Sequence, residues 1–163
     1  MIETHPYGSF IPLRTKCLLL GSFPGKEKND WFYGNKRNQF WSILEEIYRI
    51  KLQTRKEKQK LFTALDMAIT DIIYQCERKR KSNLDNNLIN IVYAVEDITW
   101  ILETNNITKI FFTSRFVETK FRQLFKNIRP TVKLIALPSP SPRYARMNKL
   151  EKIARYRELL PKL

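Results

Sequence analysis

The sequence KCLLLGSFPG, residues 16–25, decides how the first half of this chain folds. Its first six residues form a short apolar run that ends in glycine, as is typical of a strand buried on both faces of a parallel sheet. The strand cannot continue past Ser22, because Pro24 has no backbone N–H to donate and Gly25 adopts backbone angles that other residues avoid. In open α/β sheets, ligands bind in the crevice at the carboxyl ends of the strands. We therefore expect the turn at 22–25 to line a binding crevice.

The rest of the chain alternates between helical and strand-like apolar patterns. Helices are predicted over 39–51, around 61–68, over 95–105, after a capping Ser114, and near the end, where Leu150, Ile153, Ala154 and Leu160 are apolar. Further strands are predicted at 69–73, 109–113 and 132–137. This alternation predicts an α/β protein, a three-layer α/β/α sandwich with a central, mostly parallel four-stranded sheet. We expect one domain over 1–163, with an irregular arm at 1–15 and a polar, basic loop at 77–83.

The charge balance indicates the kind of partner. The 163 residues carry 30 Lys and Arg against 16 Asp and Glu, a formal net charge of +14. Such an excess predicts a polyanionic partner, most simply nucleic acid, because contacts with phosphates release condensed counterions. The alternative is a basic surface that only keeps the protein soluble.

Cysteine usage and hydropathy indicate the compartment. Cys17 and Cys76 form neither a CxxC pair nor a metal-ligand pattern, which predicts two reduced thiols in a cytoplasmic protein. No apolar run approaches the roughly 18 residues that span a bilayer, and no signal-peptide core precedes the domain. We therefore expect no membrane association. Nothing in the sequence marks a dimer surface, so a monomer is expected.

Several common chemistries lack their motifs. The chain contains no GxxxxGK[ST] and no GxGxxG, so we expect no nucleotide cofactor, and no ligand pattern predicts a metal. A serine hydrolase would need a GxSxG elbow, which is also missing. The only histidine, His5, lies in the N-terminal arm. Its position favours an anchoring role over a catalytic one.

Four segments, in order along the chain, carry a family resemblance. Residues 21–25 (GSFPG) resemble the first motif of the uracil-DNA glycosylase superfamily, and residues 137–145 (LPSPSPRYA) resemble its second. Residues 32–41 (FYGNKRNQFW) resemble the Tyr-Tyr-x-x-Pro-Arg-Asn-x-Phe-Trp stretch of the hypoxanthine-DNA glycosylase branch. Residues 68–85 are similar to that branch's next block. The resemblance implies a uracil-DNA glycosylase-like fold that removes a deaminated base, hypoxanthine or uracil, from DNA.

The resemblance also implies a pocket for an extruded base. A base inside a duplex cannot be reached, so such an enzyme turns the nucleotide out and stacks the base on an aromatic face. Tyr33 resembles the stacking residue, with Phe32 as the neighbouring choice. The backbone N–H groups of Ser22 and Gly25 are the expected donors to a base carbonyl.

Catalysis requires groups that orient water and stabilise charge on the sugar and the base. Many family members place an Asp or Asn where this chain has Phe23. The resemblance therefore shifts that role to Asn38, whose amide can orient water or hold a base or phosphate. Asn38 is also well placed to cap a helix. Asp71 is the nearest carboxylate candidate for a general base, or it is a structural acceptor of loop N–H groups.

Two departures from the branch affect base recognition. Thr113-Ser114 stands where an Asn-Gly is usual, so the paired contact of an amide is missing. Asn35-Lys36 replaces a His-Pro in the aromatic loop. The identity of the excised base therefore cannot be read from the motif.

The second motif predicts the contact with DNA. Its prolines fix the backbone, so little ordering entropy is lost when the turn binds phosphates. The alternative is a proline-rich strand exit without a role in DNA binding. The predicted DNA-binding residues are Ser139, Ser141, Pro142, Arg143, Tyr144 and Arg146.

Three functions remain open from the sequence. The first is a monofunctional DNA glycosylase that needs no metal or cofactor. The second is a noncatalytic nucleic-acid-binding module that keeps the fold but lacks an acid at Phe23. The third is a hydrolase of another N-glycoside or a phosphoester, which is favoured only if Asp71 lies in the crevice.

Overall fold

The computed structural model describes residues 1–81 and 84–163. Its strands are β1 (Ile2–Thr4), β2 (Cys17–Gly21), β3 (Met67–Asp71), β4 (Ile73–Arg78), β5 (Leu88–Tyr93), β6 (Lys109–Phe112) and β7 (Lys133–Ala136). Its helices are α1 (Phe40–Tyr48), α2 (Arg55–Ala64), α3 (Val95–Thr104), α4 (Arg115–Leu124) and α5 (Lys149–Leu159). None of these described helices is long and apolar enough to cross a membrane.

The central sheet is fully parallel, with the strand order β3-β2-β6-β7. Gly21 pairs with Asp71 in one neighbouring strand, and Leu20 pairs with Phe112 in the other. Phe112 pairs in turn with Ala136. Because the strands run in register, their carboxyl ends lie side by side along one edge. The predicted α/β fold with a four-stranded parallel sheet is confirmed.

Alternate residues of β2 enter two separate cores, because successive side chains of a strand point to opposite faces. Leu19 packs with residues of α1, α2 and α5 on one face. Leu18 and Leu20 pack with α3, α4 and a second, smaller sheet on the other. All five residues of β2 are buried. Both faces of the sheet are therefore covered, as the continuous apolar run predicted.

The second sheet corrects three predictions. It is antiparallel with the order β1-β4-β5, so part of the supposed irregular arm is a strand. The predicted strand 69–73 is divided, since the main sheet ends at Asp71 and Ile73 begins β4. Part of the predicted basic loop 77–83 belongs to β4, where the Arg78 Nε lies 2.7 Å from the Glu3 carboxylate. Ser82 and Asn83 of that loop lie outside the described residues. The charged residues Glu3 and Arg78, which pair across β1 and β4, hid these two strands from a hydropathy pattern.

Candidate functional site

The carboxyl edge of the main sheet brings together the ends of four strands. From one side to the other it presents Asp71 at the end of β3, Gly21 at the end of β2, Thr113 after β6 and Leu137 after β7. Asp71 and Thr113 are both buried, at 5% and 4% exposure. The first and second sequence motifs leave the sheet at this edge. The candidate residues from distant parts of the chain therefore meet because the strands are parallel and in register.

A buried pair of side chains occupies the β3 end of this edge. The Nε2 of His5 lies 2.7 Å from the Oδ2 of Asp71, and both side chains are 6% exposed. The backbone N–H of Tyr7 donates to the Nδ1 of His5 at 3.2 Å. Because Nδ1 accepts, Nε2 carries the proton and donates it to the carboxylate. His5 therefore holds Asp71 through one of its carboxylate oxygens.

The strand-end glycine makes the centre of the site compact. A Cβ on Gly21 would collide with the Tyr33 hydroxyl and with the Oδ1 of Asp71. The Tyr33 hydroxyl also lies 2.9 Å from the Thr113 Oγ1, which lies 3.3 Å from the Leu20 carbonyl oxygen. One assignment satisfies both bonds: Thr113 donates to Leu20 and accepts from Tyr33. Glycine is needed here because two functional groups converge above its Cα.

Tyr33 is held in place by its neighbours. Its φ is +55°, which is unusual for a bulky residue and marks local strain that the surroundings must stabilise. Its ring stacks on Phe40, with centroids 4.4 Å apart and planes 28° apart. The preceding residue, Phe32, is 2% exposed, and its carbonyl accepts from the Trp41 indole at 2.7 Å. Tyr33, and not Phe32, therefore presents the aromatic group at this edge.

The turn of the first motif is fixed by Arg78. Its guanidinium donates to the Pro24 carbonyl oxygen at 2.5 Å and lies 5.5 Å from the centroid of the Phe23 ring. The same ring meets His5 edge to face at 5.8 Å. Phe23 therefore packs against His5, the residue that holds Asp71. A cavity of about 300 Å³ lies beside this turn, lined in part by Phe23, Pro24, Gly25 and Arg78. The donor roles of Ser22 and Gly25 stay a prediction.

Asn38 stands where α1 begins. Its Oδ1 accepts from the Phe40 N–H at 2.9 Å, so the side chain does cap the start of the helix. Its own N–H donates to the Asn35 carbonyl oxygen at 2.9 Å. Within residues 1–81 and 84–163, the Asn38 Nδ2 forms no hydrogen bond. The amide can therefore cap with its oxygen and still offer two N–H donors.

The proline-rich turn of the second motif is tied to two helices. The Pro140 carbonyl oxygen accepts from the Gln39 N–H at 2.9 Å, next to α1. The Pro138 carbonyl oxygen accepts from the Tyr156 hydroxyl of α5 at 2.6 Å. The other predicted DNA-binding residues range from partly buried to exposed: Ser139, Ser141 and Tyr144 are partly buried, and Pro142, Arg143 and Arg146 are exposed. The turn is rigid and its two arginines reach solvent.

A buried lysine lies beneath this turn. Lys152 of α5 is 1% exposed, and its Nζ donates to the Gln39 Oε1 at 2.8 Å and to the Ser141 carbonyl oxygen at 3.0 Å. The Nζ also lies 5.6 Å from the centroid of the Tyr144 ring. Burial lowers the pKa of Lys152 by desolvating its charged form. Lys152 thus links the first turn of α1 to the second motif.

Sequence reasoning missed Lys152 and Gln39, and it gave His5 an anchoring role without identifying Asp71 as its partner. The predicted apolar face of the last helix is partly wrong, because Leu150 is 78% exposed and Ala154 is exposed. The buried face contains Lys152, Tyr156 and Leu160, which are spaced four residues apart and share one side of the helix. That spacing was the available signal for Lys152. No comparable pattern connects His5 with Asp71, which lies 66 positions away.

The cysteines lie apart from this edge. Cys17 and Cys76 are free and buried, and burial raises the pKa of both thiols. Their thiolate forms are therefore disfavoured, which makes them poor nucleophiles. Within the described part of the chain, no group of three or more His, Cys, Asp or Glu is arranged to hold a metal ion.

An open parallel sheet with polar side chains gathered at its carboxyl edge is typical of a class of α/β ligand-binding proteins and enzymes. The family model of the uracil DNA glycosylase superfamily matches residues 8–163. Because this match spans most of the chain, the protein belongs to that superfamily. The match does not distinguish branches, so the closeness to the hypoxanthine branch stays a prediction.

Solved structures agree with this fold. A solution NMR structure of a putative uracil DNA glycosylase from Methanosarcina acetivorans matches with a TM-score of 0.68 and 22% sequence identity. The match covers 98% of this chain and 99% of the other. At that identity the similarity establishes the fold alone. No curated protein sequence matches the chain.

Proposed function

We propose that this protein is a monofunctional DNA glycosylase that hydrolyses the N-glycosidic bond of a deaminated base, hypoxanthine or uracil, in base-excision repair. Superfamily membership supports the general activity. The convergence of Asp71, Tyr33 and Thr113 around Gly21 is the observation that carries the proposal. These residues lie between the turns of the first and second motifs. The first turn would bind the flipped base, and the second would bind the DNA backbone.

Binding begins with the phosphates. The formal charge of +14 attracts DNA, and the exposed Arg143 and Arg146 flank the rigid second motif. The base leaves the stack and enters the crevice, where the Tyr33 ring supplies a stacking face. Among the described residues the Asn38 Nδ2 has no partner, so it can donate to a base carbonyl or a phosphate oxygen. Asn38 therefore acts as a donor, since its oxygen already caps α1.

In the reaction, a water oxygen bonds to C1′ of the sugar while the bond from C1′ to the base nitrogen breaks. The bonding electrons leave with the base, the Asp71 carboxylate accepts the proton that the water gives up, and the departing base takes a proton from solvent. The Asp71 Oδ1, on the side facing Gly21, orients that water and stabilises positive charge on the sugar. His5 keeps Asp71 in position by donating to its Oδ2. Asp71 accordingly takes the role that many relatives assign to an acid in the first motif.

Base recognition depends on donors other than Thr113. Its single hydroxyl proton is directed to the Leu20 carbonyl oxygen, and its oxygen accepts from Tyr33. Thr113 can then only accept a further bond through a remaining lone pair. The peptide N–H groups of Ser22 and Gly25, together with the Asn38 amide, are the donors proposed to select a base with a carbonyl oxygen.

A noncatalytic DNA-binding module is the second candidate. Phe23 packs against His5 and Arg78, so the side chain at that position of the first motif contributes no group that could hold water. The Tyr33 hydroxyl also stands in contact distance of Gly21, where a base would approach. This candidate requires salt-sensitive DNA binding without base release.

The experiment that tests the proposal is base release from labelled oligonucleotides. Each would carry one inosine, uracil, xanthine or mismatched thymine, in single- and double-stranded form, beside free deoxynucleosides. Release of one base from DNA, lost in Asp71→Asn, would support the glycosylase. Release from free nucleosides alone would favour the third function, a hydrolase of other N-glycosides. Binding without any release would favour the noncatalytic module.

A further inference from the structure

The two buried lysines of the described chain differ in how their charge is balanced. Lys58, at 5% exposure, lies 3.7 Å from an Asp30 carboxylate oxygen and 5.1 Å from the centroid of the Trp41 ring. Lys152 is more deeply buried, at 1% exposure. In the part of the chain that the structure describes, its acceptors are an amide oxygen and a peptide carbonyl oxygen, and it forms no ion pair.

A buried cation without an anion is unfavourable, because neutral dipoles replace only part of its hydration. Such a residue is uncommon unless an anion comes close in another state of the protein. The Lys152 ammonium lies directly behind Ser141, whose carbonyl oxygen it binds. Ser141 and the partly buried Ser139 belong to the turn proposed to grip DNA phosphates. A phosphate on the outer side of that turn would face this charge through a thin layer of protein.

The geometry also connects the two halves of the site. The Lys152 ammonium donates to Gln39, which is the residue that follows Asn38, and to Ser141 of the second motif. The Gln39 N–H donates to the Pro140 carbonyl oxygen, which closes a ring of contacts between the two segments. Loss of Lys152 would leave both segments with unsatisfied acceptors.

We propose that Lys152 is a positioning residue for DNA phosphate: its buried charge compensates a backbone phosphate bound on the second motif and fixes that motif relative to Asn38. The inference depends on the proposed function only in taking DNA as the ligand. Charge interactions across protein are screened less than across water, so a cation that never touches DNA can still strengthen its binding.

The test measures binding of a fluorescent duplex that contains one tetrahydrofuran abasic-site analogue, by anisotropy at several salt concentrations. Lys152→Met is compared with Lys149→Met, which removes the same charge from an exposed position on the same helix. We expect Lys152→Met to weaken binding about tenfold and Lys149→Met to weaken it far less. Lys152→Arg, which keeps the charge, should recover part of the loss. Equal binding by the two methionine variants, both folded, would overturn the proposal.

If Lys152→Met does not fold, the native protein still provides a test. The ammonium group of Lys152 is buried and can be followed by ¹H–¹⁵N NMR during addition of the same duplex. Its resonance should shift on binding more than that of Lys58, which is already paired with Asp30. An unchanged Lys152 signal in the DNA complex would overturn the proposal.

The outcome is separable from that of the proposed function. A native protein that releases no base but binds the abasic duplex in a Lys152-dependent manner would refute the glycosylase and retain this inference. A native protein that releases base, with binding unaffected by Lys152→Met, would do the opposite.

Discussion

The imidazole of His5 donates a hydrogen bond of 2.7 Å to the carboxylate of Asp71, and both side chains are buried. The pair joins the N-terminal segment to the end of β3, and it leaves the other oxygen of Asp71 directed towards Gly21. A buried carboxylate with one oxygen fixed and the other facing a crevice is suited to orienting water. The first prediction concerns this pair.

His5→Phe should lower the free energy of unfolding by about 2 kcal/mol, because it leaves a buried carboxylate without its donor. His5→Gln, which keeps an N–H donor, should cost less and retain more base release. Urea denaturation of both variants, and of each combined with Asp71→Asn, measures the coupling. We expect a coupling energy of at least about 1 kcal/mol between the two positions. Additive effects would show that the contact contributes little.

Asn38 combines two roles that different substitutions separate. Asn38→Asp keeps the oxygen that caps α1 but removes the N–H donors, so stability should hold while base release falls about 100-fold. Asn38→Ala should lose the same activity and about 1 kcal/mol of stability. Single-turnover base release and thermal unfolding measure the two effects. Full activity in Asn38→Asp would limit Asn38 to capping.

Gly21→Ala should impair the site by displacing the groups above it. The added Cβ meets the Tyr33 hydroxyl and the Asp71 carboxylate, so we expect base release to fall about 100-fold. Tyr33→Phe removes one of the two collisions. The double variant Gly21→Ala/Tyr33→Phe should therefore be more active than Gly21→Ala alone. A double variant no better than the single one would mean that the tyrosine hydroxyl is not the obstacle.

The Tyr156 hydroxyl gives stability an alkaline limit. Burial raises its pKa above the ordinary value of 10.0, so at alkaline pH the folded protein holds a proton that the unfolded chain releases. Its contribution is present below pH 10 and is lost as pH rises towards the folded pKa. Tyr156→Phe should cost about 1 kcal/mol at neutral pH, through loss of the bond to Pro138, and should reduce the decline above pH 10.

Urea denaturation between pH 8 and pH 11 measures this decline, a range of about three units around the ordinary tyrosine pKa. Tyr48→Phe is a parallel variant, because burial also raises the pKa of Tyr48 and its hydroxyl donates to the Pro161 carbonyl oxygen. Each variant should remove part of the slope. A decline as steep as that of the native protein would assign it to other groups. Lys152 should have the opposite effect on the pH dependence of stability. Because its pKa is lowered in the folded protein, the free energy of unfolding should rise with pH up to the ordinary lysine pKa of 10.5.

Much of the main sheet was predictable because a short local stretch of apolar sequence indicates each of its strands. The run before Gly21 is apolar on both faces, and a strand of that composition has few stable places other than the middle of a parallel sheet. Apolar residues at helical spacing likewise predicted α3 and α4. The antiparallel sheet was not predictable in this way, since β4 and β5 each expose part of their side chains, and Arg78 of β4 pairs with Glu3 of β1 only in the folded state.

Composition, spacing and the family motifs, which are local properties, were enough to predict the class of fold, the two turns at its carboxyl edge and the basic charge. They also named Tyr33, Asn38, Asp71 and Thr113 as candidate residues. The contacts of His5 with Asp71, of Tyr33 with Thr113 and of Lys152 with Ser141 became visible only in the folded chain. Each of these contacts joins residues from separate elements, and the geometry of chain packing, not the local pattern, sets such distances.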